Sequence, residues 1–325
     1  VMPNTLEVSG LKTHFLMRAG VAKAVDGVDF SIAKGEVMGL VGESGSGKSI
    51  TGFSIIGLID PPGRIVEGSI KFQGEELVGA PEERLRNLRG NRIAMIFQDP
   101  MMTLNPVLRV DTQMIEALKA HQDIGKKEAW TKARDTLGMV GIPAPDERMR
   151  AYPHQLSGGM RQRVAIAIAF LNEPDLIIAD EPTTALDVTI QGQIIHEAQD
   201  LCRRTGASLI WITHDLAVVA GIADNISVMY AGKIVEQGNI DDVIDRPAHP
   251  YTVGLLGSVP SANNRGQRLY QIAGMTPNIL ALPKGCSFKE RCDRRTKTCE
   301  VSPEAVERNH RIFRCHHPYF EEVKV

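Results

Sequence analysis

The chain has 325 residues, 43% of them apolar and 23% charged, with a formal net charge of -2. That length can hold one large domain or two modest ones with a substantial core, and the near-neutral balance supplies no global basic field for gripping nucleic acid. No apolar stretch approaches the roughly 18 residues needed to span a bilayer, the longest clean run being Val164 to Leu171, and no secretory signal opens the chain. A cytosolic protein is expected, and any membrane role must come through partner subunits.

In chain order, Leu6, Val8 and Leu11, then Val25, Val28, Phe30 and Ile32, alternate as strands do. A turn at Lys34-Gly35-Glu36 precedes the apolar strand Val37 to Val41. That strand runs into a glycine-rich loop, after which a helix is predicted from Lys48. Residues 75 to 92 are charged and turn-rich, and Ile93 to Phe97 reads as a further strand. From Met101 to about Leu171 the pattern is mostly helical, with breaks at Pro106, Gly141 to Pro145 and Pro153. Ile177 to Ala179 and Ser208 to Ile212 suit parallel core strands. Ile226 to Tyr230 and Lys233 to Glu236, joined by Ala231-Gly232, read as a hairpin. Residues 245 to 325 carry many prolines, basic residues and most of the cysteines, which predicts a small loop-rich appendage. Cys202 stands apart in the body of the chain.

The loop Gly42-Glu43-Ser44-Gly45-Ser46-Gly47-Lys48-Ser49 fits G-x-x-x-x-G-K-[ST] in full. Its glycines let successive N–H groups turn inward around phosphate oxygens, and the helix behind adds its positive end. Lys48 would reach the β- and γ-phosphates and the Ser49 hydroxyl a Mg²⁺ ion. A chance glycine loop is the bland alternative, and the preceding strand and following helix argue against it. The strand Leu176 to Ala179 ends in Asp180 and Glu181. Two adjacent carboxylates are costly to bury without a cation. Asp180 is therefore expected to hold Mg²⁺ through water, and Glu181 to polarise the attacking water as general base. A turn with two solvated carboxylates is the alternative in isolation.

The segment Leu156-Ser157-Gly158-Gly159-Met160, followed by Arg161-Gln162-Arg163, is more specific. With the phosphate loop and the carboxylate-tipped strand, it resembles the signature of ABC ATPases. The resemblance spans residues 5 to about 240 and implies a fold. That fold is an α/β phosphate-loop ATPase domain over 5–245, with a mixed core sheet, an antiparallel β subdomain and a helical signature subdomain at about 99–172. A loop-rich extension over 246–325 would follow it. It also implies roles. Ser157, Gly158 and Gly159 would bind the γ-phosphate of a nucleotide held by an opposing subunit. Gln98 would sense Mg²⁺ and the attacking water, and His214 would contact the γ-phosphate. Ala185-Leu186-Asp187 would line the dimer interface. Phe15 is the candidate to stack on adenine, and could equally be core. The nucleotide set then comprises Phe15, Gly42, Ser44, Gly45, Ser46, Gly47, Lys48, Ser49 and Ile50 from one chain. Each composite site needs a loop and a signature from opposing chains, so ATP-driven head-to-tail closure is the implied mechanism.

Arg246 to Thr252, Leu282 to Phe288 with Arg291-Cys292, and Asp99 to Pro106 resemble the dipeptide, oligopeptide and nickel importer branch. Gly274-Met275-Thr276-Pro277 departs from that branch's usual proline-glycine pattern. The branch implies a second ATPase chain, most readily an unlike one, two transmembrane permease chains, and an extracytoplasmic peptide-binding protein acting through them. The location would be peripheral, on the cytoplasmic face of the cell membrane. Nickel or oligosaccharide cargo stays open. A non-transport ABC protein is the competing class, but such chains usually carry two cassettes or a long coiled-coil insertion, and this sequence has neither. Intact Lys48, Asp180, Glu181 and His214 argue against a degenerate regulator.

Cys286, Cys292, Cys299 and Cys315 are spaced C-x5-C-x6-C-x15-C. Zinc knuckles bring thiols closer, at C-x2-4-C, whereas four widely spaced thiolates suit a [4Fe–4S] cluster, with which the family's extension is associated. His316 and His317 keep zinc as an alternative, and free thiols are the third.

Overall fold

The structure is a computed structural model and describes residues 4–184, 186–259 and 271–319. In chain order it begins with strands β1 (Asn4–Met17), β2 (Gly20–Ala33) and β3 (Val37–Val41), helix α1 (Lys48–Ile55), and strands β4 (Gly63–Phe72) and β5 (Glu75–Glu76). Next come α2 (Glu82–Leu88), β6 (Ile93–Ile96), α3 (Pro100–Thr103), α4 (Val110–Lys119), α5 (Lys126–Met139), α6 (Pro145–Met149) and α7 (Gly158–Phe170). Then follow β7 (Leu176–Asp180), α8 (Val188–Thr205), β8 (Ser208–Thr213), α9 (Leu216–Ala220), β9 (Asn225–Tyr230) and β10 (Lys233–Asn239). The last are α10 (Ile240–Asp245), α11 (Pro250–Gly257), β11 (Val306–Arg308) and β12 (Arg311–Phe313). Two compact units are distinguished: Val1–Thr5, Ala33–Glu36 and Ala80–Ile210 form the first, and Leu6–Ile32, Val37–Gly79 and Trp211–Val325 the second.

The second unit carries the phosphate loop. Its antiparallel sheet runs β2-β1-β4-β5. The alternation expected in the opening segment is met, since Leu6, Val8, Leu11, Val25, Val28, Phe30 and Ile32 are all buried. Strand β4 pairs antiparallel with β1 and approaches it so closely at Gly68 that a Cβ there would lie 2.6 Å from the Leu11 Cα. The unit's other ladder runs β11-β12-β10-β9-β3. Here β3 and β9 are parallel, and β9 and β10 form the expected hairpin. Its turn residues Ala231 and Gly232 have φ of 48° and 82°, as a tight hairpin turn requires. Helix α9 packs on β3 through Val219, whose Cγ1 sits 2.1 Å from where a Cβ on Gly39 would be. Only glycine fits there.

In the same unit β12 adds to β10 through Glu236↔Phe313 and Gln237↔Ile312. Glu236 is fully buried beneath this pairing. It accepts the N–H groups of Ala248 and His249 at 2.7 and 2.8 Å, and Arg311 Nη1 lies 3.7 Å from its carboxylate. Burial pushes the Glu236 carboxyl up, against the opposing pull of these hydrogen bonds and of Arg311. The neighbouring His249 side chain caps α11 by accepting the Tyr251 N–H at 3.0 Å.

The first unit pairs β6 with β7 in parallel and holds helices α2 to α8. The expected breaks fall between helices: Pro106 between α3 and α4, Gly141 to Ala144 between α5 and α6 with Pro145 opening α6, and Pro153 between α6 and α7. Helix α7 is fixed by Arg163, which is buried and donates to the Val140 carbonyl at 2.6 Å. It also pairs with Glu197 and Gln193 on α8. A buried guanidinium satisfied this fully holds two helices in register.

Candidate nucleotide site

The loop between β3 and α1 has the shape its glycines predict. Gly42, Gly45 and Gly47 have φ of 155°, 78° and 106°. A Cβ on Gly42 would lie 2.1 Å from the Met229 carbonyl oxygen, and one on Gly47 2.2 Å from that of Ala24. The loop is thus wedged between neighbouring backbones, and no side chain can replace either glycine. Lys48 is buried and folds back onto the loop, donating to the carbonyls of Gly42 and Glu43 at 2.8 and 3.0 Å. The Ser46 hydroxyl is buried and has no hydrogen-bond partner. A buried orphan hydroxyl beside a curled run of N–H groups is what an anionic oxygen would satisfy. Ser44 and Gly45 are exposed at the loop's tip, while Ser49 and Ile50 are half-buried in the first turn of α1. Phe15, on β1, is half-buried with its ring against Gly63. His214, at the end of β8, is exposed. All these residues belong to the second unit.

The first unit carries the acidic group. Asp180 ends β7 and is buried. Glu181 follows in the left-handed region at φ 44°, which turns its side chain sharply from the strand. Thr184 Oγ1 donates to Glu181 Oε2 at 2.9 Å, and Gln98 Nε2 reaches the same oxygen at 3.5 Å. So Gln98, after β6, and Glu181, after β7, are brought together by the parallel pairing of their strands. Ser157 caps α7 by accepting the Met160 N–H at 3.3 Å, and Ser157 and Gly158 are exposed. Gly159 sits against Ile190, at 3.0 Å from a built Cβ. Asp187 caps α8 through the Ile190 N–H at 3.0 Å. Ala185 lies outside the described residues. No motif marks Thr184. Tyr251 and Arg291 lie in segments that resemble the importer branch, but nothing in those segments points to the phosphate loop, and Arg291 stands 248 residues from its partner Glu43.

The expected [4Fe–4S] cluster is corrected. Among the described residues no group of three or more His, Cys, Asp or Glu side chains is disposed to hold a metal ion. Cys286, Cys292, Cys299 and Cys315 are free thiols lining one small cavity. Burial pushes the Cys286 and Cys292 thiols up, and that of Cys315 up to about 12. The zinc alternative is not supported either. His316 is taken up by the Val301 carbonyl, and His317 by the hydroxyls of Thr296 and Thr298.

Comparison with known proteins decides the family. Residues 25–184 match the ABC transporter family, and residues 235–299 match the oligopeptide/dipeptide transporter C-terminal region. The dipeptide transport ATP-binding protein DppD of Bacillus subtilis is 48% identical over 300 residues, which are 92% of this chain and 90% of that protein. The chain belongs to the ABC transporter ATPases of the dipeptide and oligopeptide transport family. The oligopeptide transport ATP-binding protein OppD of Escherichia coli is likewise 48% identical, over 92% of this chain and 88% of its own. Among solved structures, the ATP-binding cassette MJ0796, as a post-hydrolysis dimer bound to ADP and Pi, shares 26% identity at a TM-score of 0.66. It is matched over 98% of its length and covers 72% of this chain. The fold expected from the signature motif, an α/β ABC cassette, is therefore met.

Each unit offers an oxygen donor of the kind that suits ATP with Mg²⁺. A hydroxyl at Ser49 and a buried carboxylate at Asp180 are the hard oxygen ligands that Mg²⁺ prefers.

Proposed function

We propose that this chain is the ATP-hydrolysing subunit that drives import of dipeptides or oligopeptides across the cytoplasmic membrane. The observation that carries the cargo class is the match of residues 235–299 to the oligopeptide/dipeptide transporter C-terminal region, on a chain whose phosphate loop and acidic strand end are intact. In this proposal the loop N–H groups and Lys48 bind the β- and γ-phosphates, and Phe15 stacks on the base. Ser49, Asp180 and Gln98 would hold Mg²⁺, which when bound neutralises phosphate charge. Glu181, steadied by Thr184, takes the proton of the attacking water. His214 steadies the γ-phosphate.

Ser157, Gly158, Gly159 and Asp187 face the nucleotide of an opposing ATPase chain, which is a different polypeptide. The exposure of Ser157, Gly158 and Asp187 supports that role. Among the described residues no helix is long and apolar enough to cross a membrane. The proposed unit therefore joins this chain peripherally, on the cytoplasmic face, to a second ATPase and two permease chains. An extracytoplasmic peptide-binding protein delivers cargo through the permeases. Detergent extraction of native membranes and pull-down through this chain tests it. Recovery of an unlike ATPase with two permeases is expected. Recovery of a monomer with full ATPase activity contradicts it.

A further inference from the structure

Glu43, the second residue of the phosphate loop, is gripped by side chains from later in the same unit. Arg291 Nη1 and Nη2 donate to its two carboxylate oxygens at 2.6 and 3.0 Å, a bidentate pair. The Arg291 side chain is only 6% exposed and that of Glu43 28%, so solvent weakens this pair far less than a surface one. The guanidinium is itself held in place. Its Nε donates to the Ala273 carbonyl at 3.0 Å, its Nη1 lies 3.4 Å from the Tyr230 hydroxyl, and it sits over the rings of Tyr230 and Phe288 at 5.8 and 5.9 Å. The Tyr251 hydroxyl accepts the Glu43 N–H at 2.8 Å. On the loop's inner side the Glu43 carbonyl accepts Lys48 Nζ at 3.0 Å. Side chain, N–H and carbonyl of one loop residue are thus all engaged, the first two by groups outside the loop.

We propose that Arg291 is a positioning residue for nucleotide binding, acting through Glu43. It neutralises a carboxylate that the loop carries beside the path of the phosphates, and it sets the backbone that meets them. The C-terminal extension is then part of the nucleotide site. This rests on residues 42–49 being the phosphate-binding loop. Without Arg291 an unpaired, part-buried anion faces an incoming triphosphate, so affinity suffers more than turnover of bound nucleotide.

The test uses the full chain, with a fluorescent methylanthraniloyl-ATP for affinity, and the assembled transporter for KM and kcat. Arg291→Met is expected to weaken binding about tenfold and raise KM alike, with kcat nearly unchanged. Adding Glu43→Gln removes the orphaned charge and should restore most of the loss. Arg291→Lys, which keeps a charge, should lose less. A purely structural Arg291, serving only to pack Tyr230 and Phe288, would not be rescued by Glu43→Gln. Failure of that rescue, or wild-type affinity in both Arg291 variants, overturns the inference. If Arg291→Met does not fold, Arg291→Lys with and without Glu43→Gln carries the same comparison. Lys48→Ala separates the two levels. Unchanged affinity there removes the loop assignment itself, whereas lost affinity with normal Arg291 variants removes only this inference.

Discussion

Thr184 donates its hydroxyl to Glu181 Oε2 at 2.9 Å, from one turn further along the chain. Glu181 stands in the left-handed region at φ 44°, and this hydrogen bond helps orient its carboxylate. Glu181→Gln is expected to lower ATP turnover by roughly 10²–10⁴ while leaving nucleotide affinity intact, since it removes a positioned base and not a phosphate contact. Thr184→Val loses one hydrogen bond to the Glu181 carboxylate and should cost roughly tenfold or more in kcat. Steady-state ATPase assays on the assembled complex check both. Wild-type turnover in Glu181→Gln would take the base role away from this residue.

The phosphate loop predicts a contrast between two of its glycines. A Cβ on Gly47 would meet the Ala24 carbonyl at 2.2 Å, whereas one on Gly45 meets nothing within 4 Å. Gly47→Ala should abolish nucleotide binding and cost about 2–4 kcal/mol of stability, the range for forced overpacking at a special backbone conformation. Gly45→Ala carries only the left-handed penalty of about 1–2 kcal/mol. Thermal melts and nucleotide titration of both variants read this out. Equal behaviour would mean the loop is not wedged as described.

Buried His249 gives a pH dependence of definite sign. Desolvation lowers its pKa from 6.5 to about 3. The unfolded chain therefore binds a proton that the folded chain refuses. Stability from this group is complete above about pH 6.5 and is lost as pH falls toward 3, at about 1.4 kcal/mol per unit. Between pH 7 and 5 the loss attributable to it is about 2 kcal/mol. His249→Asn keeps a side-chain acceptor for the cap of α11 but does not titrate. The difference in denaturation midpoint between wild type and this variant should shrink by that amount as pH drops from 7 to 5. A difference independent of pH would mean that His249 protonates freely in the folded protein.

Much of the site was legible because its chemistry is local. Gly42 to Ser49, the Asp180-Glu181 strand end and Ser157-Gly158-Gly159 each pack turn geometry and ligand type into a few consecutive residues. Strand β4 escapes the pattern because its alternation breaks at Val66 to Ser69, where its register against β1 shifts. Helix α8 was not assigned either, although Asp187 caps it and its buried stripe of Ile194, Ala198 and Leu201 has helical spacing. The pairing of β12 with β10 had no such signal. Three residues, Arg311 to Phe313, make no periodicity, and their partner lies far back in the chain. The cysteine spacing misled for a related reason. Four thiols close in sequence and even lining one cavity do not by themselves make a ligand set: among the described residues no three His, Cys, Asp or Glu side chains are disposed to hold a metal ion, and the nearby histidines bond to Val301, Thr296 and Thr298.

The central claim, that ATP hydrolysed by this chain moves peptide, is tested most directly by uptake of a radiolabelled tripeptide into proteoliposomes. These hold the complex purified through this chain, ATP trapped on the side it occupies, and the peptide-binding protein outside. The account predicts accumulation that requires the trapped ATP and is abolished by Glu181→Gln. Accumulation that persists without ATP or in Glu181→Gln, or ATP hydrolysis by the intact complex with no peptide moved, would contradict it.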